Sequence, residues 1–371
     1  MSDLYIAAAG AGKTTFLVNK ALEQPNEKIL ITTFTDSNEQ GIKEKFYQIH
    51  GYIPPNVKIM PWYTFLLRHG VKPYQSYITD KTVKGIEIVN AEIKALRYAK
   101  DTEERNYITR GGRVYSDKLS KLVYKLNENS NGCVVSRLKN IFSNIYIDEV
   151  QDLAGHDFEI VKLLCDAGMN MILVGDVRQT TYKTHYEAKN KKYSTGGIEE
   201  YCKDKIKTIH IDTVSLNVTH RNNPDICAFA NTLYPNMVAC TSDMNVKTGH
   251  DGLFWVSEKD VDSYLKTYSP MQLRVNVKKK VNEEYGVLSF GNSKGLGFDR
   301  VLIYPTKPML DWICGKGTLK AESRCKTYVA ITRAKYSVAF VYSTKNPPSN
   351  SMIQNWLPVT SSEGVIKVLN L

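Results

Sequence analysis

Leu4-Tyr5-Ile6-Ala7-Ala8-Ala9-Gly10-Ala11-Gly12-Lys13-Thr14 opens the chain with an apolar run, a loop of small residues, and a Lys-Thr pair leading into an amphipathic stretch, residues 14–22. A buried strand feeding a glycine-rich turn and then a helix is the order a phosphate-binding loop requires. Gly10 and Gly12 let the backbone curl until its N–H groups face a phosphate, Lys13 reaches the β and γ oxygens, and the Thr14 hydroxyl ligates Mg²⁺. Ala7 stands where the general pattern has its first glycine. A plain strand-to-helix turn is the competing reading, and the strand before and helix after weigh against it.

Outward from this loop, short β-branched and apolar runs alternate with helical stretches. Residues 4–8, 28–33, 57–60, 145–147 and 171–174 read as buried strands, and residues 36–50 as an amphipathic helix. This βαβ rhythm implies a parallel sheet covered by helices on both faces. It breaks between about 81 and 140, where residues 82–100 and 118–126 read as charged helices flanking the Gly111-Gly112 turn. A second α/β series begins near Ile209, with strands expected at 253–256, 273–277, 287–290, 301–304 and 338–342. Residues 182–207 show no clear period and are expected to contain the crossing between the two series. The chain thus reads as a first domain of residues 1–80 and 141–200, an inserted helical subdomain of 81–140, and a second domain of 201–371.

The second half of a phosphate site should be an acidic pair at the end of another buried strand, and Ile145-Tyr146-Ile147-Asp148-Glu149-Val150-Gln151-Asp152 supplies it. Asp148 would hold Mg²⁺ through water and Glu149 would polarise the attacking water. A solvated acidic loop competes with this reading, and the phosphate loop upstream decides against it. Met171-Ile172-Leu173-Val174-Gly175-Asp176-Val177-Arg178-Gln179 is a further strand ending in a small-polar turn. It places Gln179 at the carboxyl edge where ligands bind in such sheets.

Composition narrows the partners. With 371 residues, 42% of them hydrophobic, the chain is long enough for two cored domains. Lys and Arg total 49 against 38 Asp and Glu, a formal charge of +11, which is compatible with a polyanionic partner without requiring one. The seven cysteines are scattered without zinc-binding spacing, as expected of reduced thiols in the cytoplasm. No stretch reads as an export signal or a membrane span.

Taken in order, the motifs resemble those of superfamily 1 helicases of the UvrD/Rep/PcrA type. Gly-Ala-Gly-Lys-Thr at 10–14, Asp-Glu-Val-Gln-Asp at 148–152 and Gly-Asp-Val-Arg-Gln at 175–179 look like motifs I, II and III. His220-Arg221-Asn222 looks like motif IV, Ser293-Lys294-Gly295-Leu296-Gly297-Phe298-Asp299 like motif V, and Tyr328-Val329-Ala330-Ile331-Thr332-Arg333-Ala334-Lys335 like motif VI. The resemblance implies an α/β protein with two RecA-like P-loop NTPase domains, parallel sheets, and a small helical insertion in the first. It implies ATP and Mg²⁺ bound by Gly10, Ala11, Gly12, Lys13, Thr14, Thr15, Lys294 and Gly295, with Thr14 and Asp148 on the metal. The catalytic set it implies is Lys13, Asp148, Glu149, Gln179, Arg221 and Arg333. The two arginines would reach the γ-phosphate from the second domain, an arginine-finger arrangement that accelerates hydrolysis by roughly 10³–10⁵. Read without the motifs, each would sooner be a surface salt bridge.

In such helicases the segments matching Thr33-Phe34-Thr35 and Trp62-Tyr63-Thr64-Phe65 touch the single strand. That makes Thr33, Phe34, Thr35, Tyr63, Thr64, Tyr182 and Ser293 the nucleic-acid candidates. Base stacking on Phe34 and Tyr63 would tolerate any sequence, whereas core packing suits Trp62 and Phe65 better. The resemblance implies translocation on single-stranded DNA, 3′ to 5′, with RNA as an alternative strand. The second reading is a nucleic-acid-stimulated ATPase subunit that signals to a nuclease or other protein partner, as in anti-phage defence systems. A plain P-loop kinase would leave Arg221, Lys294 and Arg333 without roles. Several positions depart from the pattern. No glutamine-containing adenine segment precedes the first strand, Thr184 replaces a stacking aromatic, and Gly291 and Gly297 replace a histidine and a glutamate. The interval from Arg221 to Lys294 is too short for the regulatory domain that larger relatives insert there.

Overall fold

Residues Ile29–Thr33 are buried without exception, because the strand they form lies inside a sheet covered on both faces. The computed structural model describes residues 2–89, 93, 96, 99–180, 189–194 and 196–358. They divide into two units, the first of residues 1–220 and 234–241, the second of 221–233 and 242–371.

In the first unit β1 (Ser2–Ile6), α1 (Lys13–Leu22), β2 (Ile29–Thr33), α2 (Asp36–His50), β3 (Val57–Pro61) and α3 (Trp62–Phe65) follow one another. Short strands β4 (Gly85–Glu87) and β5 (Arg113–Tyr115) and helices α4 (Leu119–Asn129) and α5 (Cys133–Ile141) come next. The alternation then resumes with β6 (Asn144–Ile147), α6 (His156–Asp166), β7 (Asn170–Gly175), α7 (Ile198–Lys205) and β8 (Ile209–Asp212). Six strands lie parallel in the order β3-β2-β6-β7-β1-β8. Because successive side chains on a strand point to opposite faces, the apolar residues sort into two cores. Leu4, Leu30, Ile145 and Leu173 enter one, while Ile29, Ile31, Tyr146 and Val174 enter the other. Sequence signals set the helix ends. The Thr35 hydroxyl accepts from the N–H of Asn38 at 3.1 Å to start α2, and Gly51, at φ 84°, stops it.

The second unit takes over after β9 (Val218–Thr219) and contains α8 (Pro224–Asn231). Beyond β10 (Thr241–Ser242) come β11 (Gly252–Ser257), α9 (Val261–Tyr268), β12 (Met271–Arg274), β13 (Val287–Ser289), β14 (Phe298–Ile303), α10 (Lys307–Ile313), α11 (Ala321–Ile331), β15 (Ala334–Tyr342) and β16 (Gln354–Asn355). Its sheet is again six-stranded and parallel, in the order β13-β12-β14-β15-β11-β16. Two parallel, helix-covered sheets, the first with its phosphate-loop strand β1 between β7 and the edge strand β8, are the two RecA-like domains expected from the motifs.

Four sequence expectations need correction. Strand β8, assigned to the second domain with the rest of 201–371, pairs with β1 and extends the first sheet. The chain first leaves the first unit after His220, so residues 189–207 are not the crossing. Tyr193, Ile198, Tyr201 and Cys202 instead lie in the first unit's core. Residues 82–100 form no α-helix among the described residues. Gly85–Glu87 is a strand whose parallel partner is β5, and Gly112, at φ 79°, turns the chain between Thr109 and Arg113. Nor is 81–140 a separate body: Val83, Tyr107, Val114, Leu122 and Leu126 share one core with Trp62, Phe65 and Ile145. It is a cover for one sheet face.

Candidate nucleotide site

Gly10 and Gly12 adopt φ 77° and 74°, the left-handed region that costs a side-chain-bearing residue. The second of these caps α1 with no side-chain acceptor, and no acidic residue occupies the first turn. The first N–H groups of α1 are therefore available to an anion, at the end where the helix dipole favours negative charge. Backbone bonds hold the loop from outside: the N–H of Ala8 donates to Leu216 at 2.7 Å and that of His220 to Gly10 at 3.0 Å. The His220 ring lies beside Gly12, 3.8 Å from where a Cβ would stand. Sequence reading grouped His220 with Arg221 in the second domain and missed this place at the loop. The break between units falls between the two residues.

Asp148 ends β6 with 3% exposure, and Thr14 Oγ1 donates to its Oδ2 at 3.1 Å. Burial raises the Asp148 carboxyl above the ordinary carboxylate range, and the neighbouring Glu149 raises it further. Lys13 Nζ lies 3.7 Å from Glu149 Oε1. Four sequence-predicted residues from β1–α1 and β6 thus converge. Their spacing also fits a divalent cation. Thr14 Oγ1 and Asp148 Oδ2, 3.1 Å apart, set two hard oxygen donors side by side, the donor type that Mg²⁺ takes directly or through its waters. A buried carboxylate crowded by a second one gains from such a charge.

Behind the acidic pair runs a bonded chain that joins three strand ends. Glu149 sits at φ 54°, ψ 42°, uncommon for a residue with a side chain. Gln151 Nε2 donates to Glu149 Oε2, and Gln151 Oε1 accepts from the N–H of Asp176 at 3.0 Å. Asp176, fully buried, accepts from Arg178 Nε at 2.7 Å and from Gln179 Nε2 at 2.8 Å. Arg178 NH2 donates to the carbonyl of Ala7, where the phosphate loop begins, at 2.9 Å. Sequence reading quoted Gln151, Asp176 and Arg178 within motifs II and III without giving them work. Polar residues two to four places beyond the last apolar residue of each strand were the available signal.

In the second unit the three later motifs interlock through backbone carbonyls. Asn222 Nδ2 donates to Thr332 and Ala334, at 3.1 and 2.5 Å, and Asn223 Nδ2 to Tyr336 at 2.9 Å. Arg221 NH1 lies 3.5 Å from the Thr332 carbonyl, and its guanidinium borders Gly297. Arg333, 1% exposed, donates from Nε to Val329 and from NH1 to Leu296, both at 3.0 Å. Neither the finger role nor a surface salt bridge describes that hydrogen bonding. Lys294 donates its N–H to Gly291, and Gly295 takes φ 83°.

The nucleic-acid candidates separate. Phe34 and Tyr63 meet edge to face, centroids 5.1 Å apart, just past the ends of β2 and β3, and burial raises the Tyr63 hydroxyl pKa. Thr35 is exposed, and Thr64 is partly so. Thr33 is fully buried, and Ser293 is too, its hydroxyl donating to Phe290 at 2.8 Å. As they stand, these two offer no side chain to a strand. Trp62 and Phe65 are core residues, and Trp62 Nε1 donates to the buried Asp157 at 2.7 Å. Tyr182, with Thr184, lies outside the described residues.

Residues 71–195 match the UvrD/REP helicase N-terminal domain family. Over 171 residues the chain is 25% identical to the RecBCD enzyme subunit RecB of Borreliella burgdorferi, a stretch covering 46% of this chain and 13% of that one. Among solved structures, the arterivirus nonstructural protein 10 helicase aligns over 92% of this chain and 59% of its own, at 13% identity and a TM-score of 0.48. The PRRSV helicase aligns over 92% and 52%, at 16% identity and a TM-score of 0.43. Among the described residues no helix is long and apolar enough to cross a membrane. With a phosphate loop on one parallel sheet, an acidic pair beside it, and the matched segment from 71 to 195, the chain is similar to UvrD-like helicases.

Proposed function

We propose that this chain hydrolyses ATP at the loop of residues 10–14 and couples the cycle to movement along single-stranded nucleic acid, DNA in the 3′ to 5′ direction. The observation that carries the reading is the convergence of Lys13, Thr14, Asp148 and Glu149 at the uncapped start of α1. The α1 N–H groups and Lys13 hold the phosphates. Thr14 and Asp148 would hold Mg²⁺, which when bound would offset negative charge on the phosphate oxygens. Glu149 orients the attacking water and accepts its proton, and Gln179 stands beside that water. Arg221 and Arg333 supply positive charge to the γ-phosphate, Arg333 after releasing its carbonyl partners.

Steady-state ATPase assays with and without single-stranded DNA test the reading. Lys13→Ala abolishes turnover, whereas Glu149→Gln binds ATP but hydrolyses it only at a residual rate that single-turnover assays resolve. Turnover near the parent rate in either variant removes the assignment. Strand displacement on tailed duplexes of each polarity, and on RNA, then separates translocation from bare ATPase activity.

One observation supports a second reading, that the chain is the ATPase subunit of a larger assembly. The curated relative it matches is itself named as a subunit, and the chain spans about an eighth of that protein's length. DNA-stimulated hydrolysis without strand separation, together with co-purification of a nuclease, favours this alternative.

A further inference from the structure

Gln151 is the side chain that touches both the acidic strand end and the next one. Its amide nitrogen donates to Glu149 Oε2 while its amide oxygen accepts from the N–H of Asp176. It is 2% exposed, so neither bond is made in competition with bulk water. Two further features are built around it. Position 175 is glycine, and a Cβ there would run into Gln151 Oε1 and come within 2.9 Å of Val150 Cγ1. Glu149, for its part, holds a left-handed backbone conformation that a glutamate adopts only when its surroundings impose it. Asp176 is also the residue that holds Gln179 and, through Arg178, the Ala7 carbonyl.

We propose that Gln151 is a positioning residue for ATP hydrolysis: it fixes the carboxylate of Glu149 and ties that carboxylate to the β7 turn carrying Gln179. This rests on the ATPase reading above. An amide suits the task because it donates at one end and accepts at the other. Glutamate could still accept from Asp176 but could not donate to Glu149 when ionised, and methionine, of similar volume, could do neither.

The experiment measures kcat and KM for ATP, the Kd of a fluorescent ATP analogue, and Tm for the parent, Gln151→Met and Gln151→Glu. Single-turnover rates are added for each Gln151 substitution in the Glu149→Gln background. Misplacing a reacting group by an ångström costs roughly 10²-fold in rate, so kcat should fall by about that factor in both variants, with analogue Kd within about twofold of the parent. In the Glu149→Gln background the same substitutions should cost nothing further, because the group they position is already disabled. A fall in kcat that recurs undiminished in that background overturns the proposal in favour of a general structural role. So does parent-like turnover of Gln151→Glu, which would leave only the bond to Asp176 at work. Absence of turnover in the parent itself overturns the ATPase reading and takes this proposal with it.

Discussion

Thr33 carries a hydroxyl that is fully buried and has no hydrogen-bond partner, which makes its two possible roles separable. An unpaired buried hydroxyl costs about 1–3 kcal/mol, so Thr33→Val, which keeps the shape, should raise Tm. If single-strand affinity is unchanged in a fluorescence anisotropy titration while Tm rises, Thr33 serves the sheet alone; a fall in affinity restores it to the nucleic-acid surface. At Phe34 the expectation runs the other way. Phe34→Ala removes one ring of the pair with Tyr63 and should cost roughly 1–3 kcal/mol of single-strand affinity, leaving basal ATPase in place. Gly175→Ala, in turn, forces a methyl group against Gln151 and Val150. Overpacking of this kind costs about 1–3 kcal/mol, read as a lower midpoint in urea.

At the scale of elements, the close packing of Leu66–Val71, a short π-helical segment, on α4 depends on one glycine. A Cβ on Gly70 would stand 2.6 Å from Val123 Cγ2. Gly70→Ala should therefore destabilise the first unit, and Val123→Ala in the same chain should recover part of the loss, a coupling that a double-mutant cycle measures. In the second unit His250 stacks between Phe254 and Tyr268, each ring 3.9 Å away, with its Nε2 2.9 Å from the Tyr264 hydroxyl. Burial, and then the charge of Arg300, push its pKa down to about 4. Since the unfolded chain binds that proton near pH 6.5, the folded form loses stability as pH falls from about 6.5 towards 4 and no further below it. Chemical denaturation at several pH values should show this slope in the parent and a shallower one in His250→Phe.

These elements also show how far sequence carries. Where a strand is buried on both faces, as in Ile29–Thr33 or Ile145–Ile147, the apolar run is unbroken and its reading agrees with the sheet to within a residue or two. Where one face is exposed the signal weakens. Ile209-His210-Ile211-Asp212 alternates, and nothing in that alternation says which sheet it joins; its pairing with β1 is a long-range fact. The stretch 82–100 misled through its charges, since Lys84 and Glu87 suit a helix while Val83, Gly85 and Ile86 suit the short strand that forms. The motif residues converging on α1 were legible because phosphate chemistry fixes both their types and their order. The bonds of Gln151 and Arg178 were not, since either residue could equally have faced solvent.

For the whole molecule, the path of the chain matters more than its length. Residues 221–233 belong to the second unit and 234–241 to the first. Helix α8 in the former buries Ile226 and Phe229, the latter against Trp312 and Phe340. In the return segment, Asn217 Nδ2 donates to Ala239 at 2.6 Å. A protease nick at the exposed Lys247 should therefore give two pieces on a denaturing gel that co-elute on native gel filtration, because α8 stays docked among elements beyond the cut. Separation without denaturant would show those contacts to be weak. The same weaving bears on descent. No single junction along the gene divides the two lobes cleanly, so a recombination event that swapped one half would leave a lobe missing part of its own fabric. Chimaeras joined at a single point should therefore be less stable than chains that exchange both lobes together.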